Sequence, residues 1–161
     1  MRMLTAIVVS LYFLLSGGST SAQPTRPEII SQVTAEQVLA ALQQAGYKIK
    51  LVNAPDGTKY LKAEMVGLNV LVVLLGCDPA HKDQCIGVRF YVGFAKDPAL
   101  NLDLANTINN TQFGSKAYIN QAGDFVFQLD MDIEGGSSVE NIKHNANLFQ
   151  SELKSLLTPS K

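Results

Sequence analysis

The chain carries two kinds of hydrophobic spacing, which together predict where strands and helices lie. Apolar residues recur at every second position in residues 86–94 and 125–133, the period of strands with one buried face. Between residues 142 and 156 the apolar positions step by four, three, four and three, which is typical of an amphipathic helix. A shorter helix is predicted after Thr34, because Thr34 and Gln37 form a capping box and Gly46 can end the helix.

Turn residues divide the remaining segments into shorter elements. Strands are predicted near residues 47–51, 58–64 and 115–120, and a short helix is predicted to start at Asp97 and Pro98. Ser137 and Glu140 form a second capping box ahead of the last helix. The predicted fold class is α+β, in the order α-β-β-β-β-α-β-β-α, with helices packed against an antiparallel sheet of about six strands.

The third predicted strand differs from the others in having no polar face. Residues 68–75 are apolar at every position except Asn69, so both faces of this strand should be covered. Leu71, Val73 and Leu75 lie on one face, and the even-numbered positions lie on the other. Either helices cover both faces, or they cover one and a second subunit or a client protein covers the other.

The first 22 residues have the layout of a secretory signal peptide. Arg2 gives a positive start, residues 3–15 are largely apolar, and Thr20 and Ala22 fit a cleavage site. The apolar run is shorter than the about 20 residues that span a bilayer, so a membrane anchor is the less favoured alternative. We expect cleavage after Ala22, a periplasmic or secreted mature chain without membrane insertion, a linker over residues 23–33 and one domain over residues 34–158.

Composition narrows the class of protein further. The 161 residues are 47% hydrophobic and 17% charged, with a formal net charge of −1. A near-neutral chain is not expected to bind nucleic acid through a strongly basic surface. The apolar content is too high for a disordered chain, and the length suits one domain.

Cys77 and Cys85 flank the loop between the third and fourth predicted strands. In an exported protein this pair is most simply a disulfide that closes the hairpin. The alternative is a zinc site, because Cys77, His81 and Cys85 recur at a spacing of four with Asp78 and Asp83 between them. The usual close pair of cysteines is missing and the compartment is oxidising, so the disulfide is preferred and no cofactor is expected.

Asp130, Asp132 and Glu134 form an acidic row on the strand over residues 125–133. They alternate with five apolar residues, so they should point to solvent or to a partner. With Gly135 they resemble the start of a calcium loop, but the twelfth position, which needs glutamate, is Asn141. A solvated row, or a row that contacts a partner, is the preferred interpretation.

The sequence lacks the local motifs of common catalytic chemistry. No serine lies in a nucleophile-elbow sequence, no glycine-rich loop is suited to phosphate, and there is no HExxH. We therefore favour a non-enzymatic binding or regulatory protein. The alternatives are a small metal-dependent or hydrolase-like enzyme whose site is assembled from distant segments, and a structural envelope protein.

Several residues of the chain follow the order and spacing that is found in a known bacterial family. The domain opens with VTAEQV at residues 33–38, and a Gly-Gly-Ser-containing start to the last helix covers residues 135–141. Between them lie two cysteines, a Phe-rich strand, an Asn-containing helix and a Gly-Asp turn: Cys77, Cys85, Phe90, Phe94, Leu104, Asn106, Asn109, Phe113, Ala117, Tyr118, Gly123, Asp124, Leu129 and Asp130. In this order and spacing the chain resembles the YbjN family of sensory transduction regulators.

The resemblance implies an α+β fold similar to that of type III secretion chaperones. In such folds an antiparallel sheet packs against helices, and subunits often pair. The resemblance implies no reaction and no catalytic residues. The expected function is a chaperone-like binding or regulatory module with a protein partner or client, which in one version is a second copy of the chain.

Overall fold

The helices and strands follow the predicted order. The computed structural model describes residues 28–55, 57–81 and 83–158. Its elements are α1 (Ala35–Gln44), β1 (Lys48–Asn53), β2 (Lys59–Met65), β3 (Leu68–Cys77), β4 (Cys85–Phe94), α2 (Leu102–Thr111), β5 (Ser115–Ile119), β6 (Phe125–Asp132) and α3 (Val139–Leu157). The predicted α+β class is confirmed. The signal peptide predicted over residues 1–22, and residues 23–27 of the predicted linker, lie outside the described residues.

The six strands form one antiparallel sheet in the order β1-β2-β3-β4-β6-β5. Two neighbouring rows of paired residues cross all six strands, and their side chains point to opposite faces. One row is almost wholly apolar: Leu51, Leu61, Val72, Phe90, Leu129 and Ser115. The other is mostly polar: Lys50, Lys62, Leu71, Tyr91, Gln128 and Lys116.

All three described helices pack on the apolar face of the sheet. The Phe149 ring of α3 stacks on Phe90 and Phe127, with ring centroids 5.8 and 5.3 Å away. Leu42 of α1 and Ile108 of α2 are buried in the same core. The core is therefore one layer between the sheet and the helices, as expected for an α+β fold.

The segment before α1 is tied to the body of the domain. Ile30 forms two backbone hydrogen bonds with Ser137, each 2.8 Å long. Val33 forms two with Cys85, at 2.8 and 3.0 Å. Residues 28–33, which the sequence analysis placed in a linker, thus run along the edge of the domain in fixed register.

The start of α1 is the predicted one. The Gln37 backbone N–H donates to Thr34 Oγ1 at 3.2 Å, and Gln37 Oε1 accepts from the Thr34 backbone N–H at 2.8 Å. These bonds satisfy two donors that the first helical turn would otherwise leave without partners.

The start of α2 was predicted wrongly at Asp97 and Pro98. Asp97 closes a turn instead, because its carboxylate accepts from the Ala99 backbone N–H at 2.8 Å. The helix begins at Leu102, capped by Asn101, whose side-chain oxygen accepts from the Leu104 backbone N–H at 3.0 Å. Both residue types cap helices well, and the sequence offers both in succession.

The cap of α3 lies one residue later than predicted. Ser138 caps the helix by accepting from the Asn141 backbone N–H at 3.2 Å. Ser137 is buried and pairs with Ile30 through its backbone. The capping box predicted between Ser137 and Glu140 is therefore not formed.

The turn between β2 and β3 holds a valine in an unfavourable backbone conformation. Val66 and Gly67 both have positive φ, 52° and 76°, between the paired residues Met65 and Leu68. A two-residue turn of this kind matches the twist of the strands, but a β-branched residue at positive φ is strained.

Replacing Val66 with asparagine should therefore raise the free energy of unfolding by about 1 kcal/mol, because asparagine tolerates this conformation. Val66 is 39% exposed, so little buried apolar surface is lost. Urea denaturation followed by circular dichroism measures the change. Val66→Ala, which keeps the strain, should gain less. A destabilised asparagine variant would contradict the positive φ at this position.

Candidate functional site

The candidate functional site is the face of the sheet turned away from the helices, which we call the open face. Its side chains come from all six strands: Lys48, Lys50, Val52, Tyr60, Lys62, Glu64, Asn69, Leu71, Val73, Leu75, Arg89, Tyr91, Lys116, Tyr118, Val126, Gln128, Asp130 and Asp132. The described helices bury their apolar side chains on the opposite face: apart from Ala35 at the start of α1, the buried residues of α1, α2 and α3 all belong to the core there.

The centre of the open face is apolar and half-buried. Leu71, Val73 and Leu75 are partly accessible to solvent, whereas Val70 and Val72 on the other face of the same strand are 0% exposed. Of the two arrangements that the sequence left open for β3, the structure has helices on one face. Among the described residues nothing equivalent covers the other.

Two side chains of β6 are buried although they lie on the open face. Val126 is 0% and Gln128 is 1% exposed. Their cover comes from neighbouring strands: Tyr118 is paired with Val126 in the register, and its hydroxyl donates to Gln128 Oε1 at 2.9 Å. Tyr91 contributes as well, and burial raises the pKa of its hydroxyl. The part of the open face that lies on β4, β5 and β6 is therefore a packed layer of large side chains.

Asp130 is the centre of a polar network on this layer. Its carboxylate accepts from Arg89 Nε and Nη2 at 2.6 and 2.9 Å, and from Lys116 Nζ at 2.9 Å. The Gln128 side-chain amide donates to both carboxylate oxygens at 3.1 Å. Burial acts to raise the pKa of Asp130, but the hydrogen bonds and charges of Arg89 and Lys116 outweigh it, and the pKa is lowered.

The acidic row therefore does not act as three equivalent carboxylates. Asp130 is engaged by two cations. Asp132 Oδ1 accepts from the Glu134 backbone N–H at 2.9 Å and so shapes the turn after β6. Glu134 is exposed. Contact of this row with a partner remains a prediction.

Replacing Asp130 with asparagine should cost about 1 kcal/mol of stability at neutral pH, because a partly exposed bidentate ion pair is lost. The pKa of Asp130 is lower in the folded protein, so its contribution is present above the unfolded pKa of about 3.9 and is lost as pH falls through the folded value. Urea denaturation at pH 6 and at pH 3 should show a smaller difference from the wild type at pH 3 than at pH 6.

Asp132→Asn is the matched control for this experiment. An asparagine can still accept the Glu134 N–H, so its free energy of unfolding should stay within about 0.5 kcal/mol of the wild type. Equal losses for the two variants at pH 6 would contradict the network around Asp130.

The open face is positively charged, unlike the protein as a whole. It carries five cationic side chains, at Lys48, Lys50, Lys62, Arg89 and Lys116, and three carboxylates, at Glu64, Asp130 and Asp132. The complete chain has a net charge of −1. The surplus lies on β1 and β2, where three lysines face one carboxylate, whereas Arg89 and Lys116 are matched in number by Asp130 and Asp132.

Three of these lysines surround a hollow at the β1–β2 side. The hollow has a volume of about 400 Å³, and Lys48, Lys50, Lys62, Glu64 and Asn69 contribute to its lining. Lys50 and Lys62 are directly opposite each other in the register. Lys48 Nζ lies 3.6 Å from Glu64 Oε2. Among the described residues, the hollow thus has one carboxylate for three ammonium groups.

The predicted disulfide between Cys77 and Cys85 is present, at directly paired positions of β3 and β4. It uses both thiols of the alternative zinc site. His81 Nδ1 lies 3.2 Å from Asp78 Oδ2, and the backbone N–H of Ala80 and this histidine lower the pKa of Asp78. Within residues 28–55, 57–81 and 83–158, no three His, Cys, Asp or Glu side chains are grouped to hold a metal.

A second concave region, of about 660 Å³, lies at the disulfide end of the sheet. Its walls are the β1–β2 turn, the start of α1, the loop closed by the disulfide, and Val73 and Leu74 of β3. Lys59 Nζ contacts Glu36 Oε1 at 3.3 Å in this region. Backbone hydrogen bonding at Glu36 and the Lys59 ammonium lower the pKa of Glu36. This cavity could not be predicted from the sequence, because its walls come from segments that are far apart along the chain.

A further feature that could not be predicted from the sequence is the way in which α3 holds the backbone around Phe113, between α2 and β5. The Glu152 carboxylate of α3 accepts backbone N–H groups of Phe113, Gly114 and Ser115 at 3.2, 3.3 and 3.0 Å. The Phe113 side chain is 97% exposed. A single exposed ring is normal on a protein surface, so Phe113 by itself does not mark a contact site.

Comparisons with known proteins identify the family. Residues 34–158 match the sequence model of the YbjN family, described as "Putative bacterial sensory transduction regulator". The solved structure of YbjN, "a putative transcription regulator from E. coli", is 12% identical to this chain, with a TM-score of 0.56, over 76% of this chain and 86% of that chain. At that identity the likeness shows the fold alone.

No curated protein matches the chain. None of the described helices combines the length and the apolar character needed to cross a membrane. The family match covers most of the sequence and includes every element from α1 to α3. The chain belongs to the YbjN family.

Proposed function

We propose that the protein is an exported regulatory module that binds a partner protein on its open face and catalyses no reaction. One observation carries the proposal: the three described helices all pack on one face of the sheet, and the other face keeps an apolar centre at Leu71, Val73 and Leu75. The family description of a sensory transduction regulator supports a regulatory role.

The size of the open face fits a regulatory contact. Six strands about 4.8 Å apart and roughly 20 Å long give an area of about 600 Å² per partner. Total burial would then be near the lower limit of about 1,200 Å² for specific interfaces, where many transient signalling contacts lie. Binding would be chaperone-like in that the open face shields an apolar surface of its client.

A second copy of the chain is a less suitable occupant of the open face. Two identical faces would bring together two surfaces that each carry five cations and three carboxylates. Like charges at a contact disfavour association. Sedimentation of the mature protein at micromolar concentration should give a monomer. A dimer that Val73→Asp dissociates would show that the partner is a second copy.

Site-specific photo-cross-linking in cells tests the proposed function. A benzophenone amino acid in place of Leu71 should form one discrete adduct, and the same amino acid at exposed Lys154 of α3 should not. The adduct is identified by mass spectrometry, and the purified pair is titrated by calorimetry. Val73→Asp should weaken that complex at least tenfold.

The Val73→Asp variant is suited to this test because Arg89 is its direct neighbour in the register and can pair with the new carboxylate. Its circular dichroism melting curve shows whether it folds. An adduct from Lys154 but not from Leu71 would contradict the proposal, as would a complex that tolerates Val73→Asp.

Export is part of the proposal and has its own test. The layout of residues 1–22 supports cleavage by a signal peptidase. The mature protein isolated from the periplasm or the medium should begin at Gln23 or within a few residues of it. Intact-mass spectrometry that finds Met1 on most molecules would contradict export.

A further inference from the structure

We infer that the partner of the open face presents carboxylates beside an apolar strip, and that the hollow between β1, β2 and β3 is the subsite that binds those carboxylates. This inference rests on the proposed function and names the chemistry of the partner. The polar side chains of the subsite are Lys48, Lys50, Lys62 and Asn69, together with Glu64, whose carboxylate lies 3.6 Å from Lys48 Nζ.

The arrangement of Lys50 and Lys62 favours the binding of an anion between them. They are directly opposite each other on antiparallel strands, where like charges are destabilising. In the described part of the chain, the Glu64 carboxylate at the hollow is shared with Lys48, at 3.6 Å, and neither Lys50 nor Lys62 has an ion-pair partner. A repulsive pair of this kind is compensated when an anion binds between the two ammonium groups.

The position of the hollow next to the apolar centre indicates that one partner segment can contact both. Lys62 is paired with Leu71, the first residue of the apolar centre, so the hollow and the apolar strip are adjacent. A partner segment that covers Leu71 and Val73 with apolar side chains would therefore bring its neighbouring residues over Lys62 and Lys50. Carboxylates at those positions complement the charge of the hollow, and basic residues would be repelled.

The cations on the other half of the open face do not offer a comparable subsite. Arg89 and Lys116 both bind Asp130, so their charge is already balanced in part by a carboxylate of the chain. The hollow therefore fixes the orientation of the partner: its acidic side lies over β1 and β2, and its uncharged side lies over β4 and β6.

The probe for this inference is a short fluorescein-labelled peptide in which valine and glutamate alternate, with a valine–lysine peptide as its counterpart. Fluorescence anisotropy should show saturable binding of the acidic peptide below about 1 mM at low salt. Its affinity should fall at least fivefold between about 0.05 and 0.3 M salt, because exposed charges are screened. The basic peptide should bind at least tenfold more weakly.

Lys62→Glu is the decisive variant, and it is expected to remain folded. A glutamate opposite Lys50 replaces a repulsive pair with an attractive one, so the variant should melt no lower than the wild type. Its affinity for the acidic peptide should be at least tenfold lower. Lys154→Glu, which makes the same change of charge on α3, should change the affinity less than twofold.

The outcomes separate this inference from the proposed function. If Val73→Asp abolishes the complex identified by cross-linking while Lys62→Glu leaves it intact, the open face binds a partner and the carboxylate subsite is wrong. Equal binding of the two peptides, or no saturable binding of the acidic one, also overturns the subsite. Phosphatidylglycerol vesicles that displace the acidic peptide and lose binding in Lys62→Glu would make the surface a membrane contact and overturn the inference.

Discussion

Replacing Phe127 with alanine should lower the free energy of unfolding by about 3–5 kcal/mol, the largest effect that we expect from a single substitution. Phe127 is 0% exposed on the helix face of β6, and its ring stacks on Phe149 with centroids 5.3 Å apart. Its removal leaves a cavity between the sheet and α3 that the surrounding strands cannot close. Urea denaturation followed by circular dichroism measures the loss.

Phe113→Ala is the matched control for Phe127→Ala. It makes the same chemical change at a side chain that is 97% exposed, so the free energy of unfolding should change by less than about 0.5 kcal/mol. A loss below about 1 kcal/mol at Phe127 would contradict a close-packed core at that position.

Replacing both Cys77 and Cys85 with serine should lower the free energy of unfolding by about 2–3 kcal/mol. The bridge joins residues with a sequence separation of 8, and it stabilises the protein mainly by restricting the unfolded chain. Because the paired positions of β3 and β4 remain hydrogen-bonded strands, the double variant should keep the fold. Non-reducing peptide mapping of the wild type should recover the two cysteines in one linked fragment.

The reducing agent dithiothreitol provides the control for the disulfide. It should bring the stability of the wild type to that of the double serine variant, and it should leave that variant unchanged. Two free thiols in the peptide map would refute the bridge. A double variant that loses bound zinc and unfolds would support the alternative metal site.

The strands and helices could be predicted because each buries one side with a regular period. The alternation over residues 125–133 predicted that Phe125, Phe127 and Leu129 point to the core, and all three are buried. The spacing from residue 142 to residue 156 predicted α3 for the same reason. Local hydrogen bonds were less predictable, since Asp97 and Asn101 are both of residue types that cap helices, and the Asp97 carboxylate instead accepts the Ala99 backbone N–H.

The open face could be predicted only in part. The apolar run of β3 indicated that both of its sides need cover, but a single strand does not show on which face the helices lie. The register across six strands was needed to bring Lys50, Lys62 and Leu71 into one row. It was also needed to place Arg89 and Lys116 against Asp130, which showed that one member of the predicted acidic row is bound by two cations.

The order of strands has a consequence for how the chain folds. Strands β1 to β4 pair with their neighbours in sequence, whereas β6 reaches β4 only after α2 and β5. Local pairs form early, so the β5–β6 hairpin should dock late on the exposed edge of β4.

Once β6 has paired with β4, side chains on both faces of the sheet hold this seam between the two strands together. The Phe149 ring spans it by stacking on Phe90 and Phe127, and the Arg89–Asp130 ion pair crosses it on the other face. A chain in which β6 has not paired with β4 exposes an unpaired edge of β4, and unpaired strand edges are a route to aggregation during folding.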